Sequence, residues 1–151
     1  HTLSPTRRSS DLVRNRSSAT MVPANRRGVT ELVKTLKAGG CIVMLPDQEP
    51  ERESGDFAPF FGIETLTISL VHGLATKTNA QLLLVNARRL PDGLGFDVCF
   101  RDANSVNADN LRESLTAMNA IIEKAVREAP AQYQWEYKRF KRRPHGKADF
   151  Y

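Results

Sequence analysis

Cysteine is scarce in this chain. There are two, Cys41 and Cys99, and neither belongs to a Cys-x-x-Cys pair or to a Cys/His cluster. Zinc and other metal sites are therefore not expected, no cofactor is indicated, and the usage suits a reducing compartment. No apolar run approaches the roughly 18 residues that a membrane-spanning helix needs. No signal-peptide pattern is visible, so any membrane association of these residues is expected to be peripheral. Acidic charge is also short, with 17 Asp plus Glu against 22 Lys plus Arg and a net charge of +5. The excess is local. Between Trp135 and Arg143 five basic residues (Lys138, Arg139, Lys141, Arg142, Arg143) face one acid, Glu136.

What is present suits one globular domain. The chain has 151 residues, 40 % of them hydrophobic and 26 % charged, enough for a real core. Residues 1–20 stand apart. They show no helical or strand period, and His1–Leu12 reads like a translated sequencing adapter, so this stretch is expected to be disordered and non-native.

The organising stretch is Cys41-Ile42-Val43-Met44-Leu45, an unbroken apolar run stopped by Pro46 and followed by Asp47 and Gln48. Such a run suits a strand buried on both faces of a sheet covered by helices. Function gathers just past the carboxyl ends of such strands, and Asp47 and Gln48 sit there. Asp after Pro is equally a common turn pair. An acidic loop, 49–56, leads to Phe57, Phe60 and Phe61, which return the chain to an apolar surface, and Phe60-Phe61 suit ordinary core.

Around this stretch, helices are expected over 29–37, 66–77 and 107–129 from apolar spacing of three and four residues. Strands are expected at 81–89 and 96–101, joined as a hairpin by Pro91-Asp92-Gly93-Leu94-Gly95. The expected fold class is α/β, with a mostly parallel central sheet flanked by helices. In the tail, Tyr133, Trp135, Tyr137 and Phe140 interleave with the basic cluster. That pattern suits phosphate or anionic-lipid contact, single-stranded nucleic acid, or a solvated tail.

Leu45-Pro46-Asp47-Gln48, Phe57-Ala58-Pro59-Phe60-Phe61-Gly62, Met118-Asn119 and Pro130-x-Gln132-Tyr133-x-Trp135-x-Tyr137-Lys138-Arg139-Phe140-Lys141-x-Arg143-Pro144 stand in order at suitable separations. Together they resemble the lipid A biosynthesis lauroyl/myristoyl (late) acyltransferase family of the lysophospholipid acyltransferase superfamily. The resemblance covers 21–151, which would be the C-terminal part of such a domain. It implies transfer of a fatty acyl chain from acyl carrier protein to a lipid A precursor in lipopolysaccharide biosynthesis, at the cytoplasmic face of the bacterial inner membrane and without a metal. It also implies Asp47 as a candidate for the active-site wall and a set of substrate-binding candidates: Gln48 to position substrate, Phe57, Phe60 and Phe61 for an acyl pocket or else plain core, and Lys138, Arg139, Lys141, Arg142 and Arg143 for phosphates or anionic headgroups.

The family's catalytic signature is a His followed five residues later by Asp or Glu. Here His72 meets Lys77, His145 meets Phe150 and His1 meets Thr6. No catalytic residue is therefore assigned, and the chain alone is expected to be inactive. Nucleic acid is not an expected partner, because no recognised binding motif is present and the basic residues are confined to the two ends. The alternatives kept open are a basic nucleic-acid-binding domain and a non-catalytic remnant that binds anionic lipid.

Overall fold

A computed structural model describes residues 19–148, 150 and 151. The expectation for the first twenty residues falls almost wholly outside that range. The chain divides into two units that meet at Ile42 and Val43, and each is taken by itself.

The first unit carries one helix, α1 (Arg26–Lys37). Asn25 caps it, its side chain accepting from the Gly28 amide at 3.1 Å, which satisfies one of the donors left free at a helix start. Lys34 and Lys37 fall in the last turn, where cations complement the helix dipole. The helix stops at Gly39, whose φ of +78° is a conformation that costs glycine nothing.

The second unit begins with a correction. Residues 41–45 form no strand. Val43 is 87 % exposed and Leu45 53 %. A buried parallel strand needs a neighbour for its backbone amides and carbonyls, and the described residues supply none here. The sheets correct the expected topology as well. Both are two-stranded and antiparallel among the described residues, so the mostly parallel sheet does not appear. The broader expectation of mixed helices and sheets holds.

The first sheet pairs β1 (Gly55–Phe60) with β2 (Ile63–Ile68), Phe60 opposite Ile63. Phe61 and Gly62 join them with φ values of +50° and +75°, the left-handed pair that lets a two-residue hairpin follow the strands' twist. This hairpin takes Leu66, Thr67 and Ile68 from the helix expected over 66–77. Ile63, Thr65, Thr67 and Ile68 are β-branched and favour a strand, so helix α2 (Leu70–Thr78) starts only at Leu70.

The second sheet pairs β3 (Leu83–Arg89) with β4 (Phe96–Asp102), Val85 opposite Phe100. Helix α3 (Leu111–Glu128) follows, capped by Asn110, which accepts from the Glu113 amide at 2.9 Å. The core gathers where Leu115, Met118, Ile122 and Val126 of α3 meet Ala58 and Phe60 of β1, with Ala103 and Val106 closing it. The chain then runs through two short 3-10 turns, Pro130–Gln132 and Trp135–Tyr137, and its tail lies over this core.

Candidate functional site

The tail is built into the fold. Gln132 reads the β3 edge as a neighbouring strand would, donating to the Arg89 carbonyl at 3.1 Å and accepting from the Arg89 amide at 2.7 Å. Tyr133 and Trp135 meet edge to face with centroids 4.8 Å apart. Phe60 and Phe61 do the same at 4.8 Å, and Phe61 lies 5.9 Å from Trp135. Phe140 completes the group, 5.8 Å from Phe60. Such edge and tilted pairs add to the stabilisation that burial provides.

Arg139 is the least expected feature. It is 3 % exposed, although arginine is almost never fully buried unless paired. It donates to the Leu66 carbonyl and, at 3.2 Å, to the Thr67 hydroxyl. Its guanidinium lies over the Phe60 ring, 5.6 Å from the centroid. Burial lowers its pKa, while Tyr133, Asp47 and Glu49 oppose that shift. Thr67 also accepts from Asn119 Nδ2 at 2.9 Å. The same amide donates to the carbonyls of Pro59 at 3.0 Å and Ala58 at 3.4 Å. A continuous buried polar path thus joins tail, β2, α3 and β1.

Arg142 grips the acidic loop. Its amide donates to Glu49 Oε2 at 3.0 Å, its guanidinium reaches Glu49 Oε1 at 3.4 Å and Glu51 Oε2 at 3.2 Å, and it also donates to the Pro50 carbonyl. Arg143 donates to the Glu64 carbonyl at 3.1 Å and stacks 4.5 Å from the Phe150 centroid. Lys138 and Lys141 are exposed. Lys138 lies over the Tyr151 ring at 5.3 Å, and neither lysine forms an ion pair among the described residues.

The sequence-predicted residues are therefore largely gathered. Asp47 sits in a turn, and its carbonyl accepts from the Tyr133 hydroxyl at 3.4 Å. Burial, with Asp47 adding to it, pushes the Tyr133 phenol up to about 12. Gln48 lies exposed beside this turn. Phe60 is core at 1 % exposure, and Phe61 is half-buried with Arg127 stacked 4.7 Å from its centroid. Phe57 stands apart, stacked with Arg52 at 5.0 Å. Sequence reading placed Asn119 in the ordered motif set without a role, and did not single out Thr67. Their signal is a polar residue within an apolar stripe, Asn119 beside Met118 in the helix and Thr67 between Leu66 and Ile68. Among the described residues no group of three or more His, Cys, Asp or Glu is arranged to hold a metal, and no helix is long and apolar enough to cross a membrane.

Asp47, Phe60, Phe61, Asn119, Tyr133 and Arg139, which meet here, belong to the ordered motif set. The family model for bacterial lipid A biosynthesis acyltransferases matches residues 9–142. The chain belongs to this family. It is similar to the lipid A biosynthesis palmitoleoyltransferase of Escherichia coli (strain K12), 32 % identical over 139 residues that make up 91 % of this chain and 45 % of that protein. A lipid A biosynthesis acyltransferase of Shigella flexneri matches to the same extent. The lipid A biosynthesis lauroyltransferase of Escherichia coli (strain K12) is 33 % identical over 135 residues, 88 % of this chain and 44 % of that protein. The chain thus spans just under half the length of these relatives. Within the family frame, the tail motif Gln132–Arg143 has a visible physical role: it fastens the chain's end across the β1–β2 hairpin and the 47–51 turn.

Proposed function

We propose that residues 21–151 are the C-terminal part of an enzyme that moves a fatty acyl chain from acyl carrier protein to a lipid A precursor at the cytoplasmic face of a bacterial inner membrane. The observation that carries this reading is the family match over 9–142. The relatives named as palmitoleoyl- and lauroyltransferases support it.

In this reading the tail divides its labour. Lys138 and Lys141, exposed and without carboxylate partners among the described residues, meet the acceptor's phosphates as point charges. Arg142 and Arg143 stand beside them and hold the surface in shape, while Arg139 braces it from inside. Gln48 and Asp47 line the rim, and Phe61 offers an apolar side to an acyl chain above the Phe57–Phe60 strand. The general base is expected from a His and acid five residues apart, a pair this chain does not contain.

The test is acyl transfer by a chimera in which residues 21–151 replace the matched part of the E. coli palmitoleoyltransferase. Turnover with an acyl carrier protein donor, and a raised KM for the acceptor lipid in Lys138→Ala/Lys141→Ala, is the expected result. A folded chimera without transfer contradicts the reading.

A further inference from the structure

The β3–β4 hairpin carries its apolar side outward. Its pairing sets Val85 against Phe100 and Ala87 against Val98, so Leu83, Val85, Phe96, Val98 and Phe100 share one face. These five side chains are 50–67 % exposed. The opposite face, which turns toward α3, holds Leu84 against the core at one end and polar pairs beyond it. Arg88 meets Asp97 at 2.7 Å, and Arg101 meets Asn86 at 2.9 Å and Glu128 at 2.5 Å. A half-buried strand ordinarily does the reverse. Moreover, Leu82-Leu83-Leu84-Val85 is unbroken, the pattern of a strand covered on both sides. Among the described residues, only the side of Leu82 and Leu84 is packed against the core.

We infer that this face is an interior surface, covered by an apolar protein layer that comes from the part of the family's length lying outside the matched residues. More than half of each relative's length lies there, since the match takes 45 % and 44 % of them. The charges on the face favour protein over lipid. Arg89 beside Phe96 at one end is balanced by Asp102 beside Leu83 at the other, whereas a surface that lies on anionic lipid carries a cationic rim. Contiguous exposed apolar patches of this kind mark a contact surface. The inference rests on the reading of the chain as part of a longer acyltransferase, and its test separates the two.

Cysteine labelling reads the face directly. With Cys41→Ser and Cys99→Ser as background, Val98→Cys and Phe100→Cys report on the face, and Lys124→Cys on exposed α3. Maleimide reaction is followed in the 151-residue chain and in the chimera described above. The expected result is rapid labelling of all three positions in the chain. In the chimera, positions 98 and 100 then slow by at least about tenfold while 124 does not change. Equal labelling of 98 and 124 in the chimera overturns the inference. So does protection in the chain alone that accompanies dimerisation, which assigns the face to a second copy, or protection that appears only with anionic vesicles. Acyl transfer is scored separately. Transfer without protection removes the face assignment and keeps the function, and protection without transfer does the opposite.

Discussion

Arg139 stabilises the molecule through geometry that only its side chain provides. A planar fork of donors reaches both the Leu66 carbonyl and the Thr67 hydroxyl while its flat face covers Phe60, and lysine cannot copy this. Arg139→Ala takes away the side-chain donor of the Leu66 carbonyl and one of the two donors to the buried Thr67 hydroxyl. It should cost about 2–3 kcal/mol in urea unfolding, whereas Lys138→Ala, at an exposed position, should stay within about 0.5 kcal/mol. Equal effects would remove Arg139 from its bracing role. Tyr133 gives a pH signature. Its folded pKa, about 12, lies above the ordinary value of 10.0, so the folded state holds the phenolic proton longer than the unfolded state does. Its contribution to stability is full below pH 10 and is lost as pH rises toward 12. Tyr133→Phe should therefore be less sensitive than the parent to pH across that window, as measured by the difference in unfolding midpoints at the two ends.

At the scale of the elements, the β1–β2 hairpin depends on its turn. Gly62 has φ +75°, and a Cβ there would meet nothing within 4 Å, so the cost of adding one is purely conformational. Gly62→Ala should destabilise by about 1–2 kcal/mol, and Gly62→Asn, which tolerates the left-handed region, by less. Thermal unfolding of the two variants checks this; equal losses would point to crowding instead. The same hairpin marks where sequence reading stopped. Helices at 26–37 and 111–128 and the hairpin 83–102 follow from apolar spacing and turn residues, and they are found within a few residues of their expected bounds. The strand 63–68 is missed because Leu66, Leu70, Val71 and Leu74 also fit a helical stripe. The deciding signal is the Phe61-Gly62 turn, which sets Thr65 and Thr67 opposite β1. The run 41–45 misleads for another reason. Its apolarity is real, but a strand is a relation between two segments, and composition does not reveal whether the partner is at hand. Of the site, the basic and aromatic tail is legible as a cluster. Which cations face inward is not, because Arg139 and Lys138 are neighbours in the sequence and differ only in what the tail's path brings to each.

At the scale of the whole molecule, two observations point the same way. All the ordered motifs but the final Arg143-Pro144 lie within a family match over most of the chain, and an apolar sheet face stands exposed on a chain that spans less than half of its relatives. Together they agree with the proposed reading, in which these residues hold a basic, aromatic rim in place for an enzyme whose base lies elsewhere. The most direct test is acyl transfer measured side by side for the 151-residue chain alone and for residues 21–151 grafted into the E. coli palmitoleoyltransferase. Both receive acyl carrier protein thioesters of lauroyl, myristoyl and palmitoleoyl chains and a lipid A precursor. The account predicts transfer by the graft and none by the chain alone. Transfer by the chain alone would contradict it, because these residues would then need no His–acid pair from elsewhere.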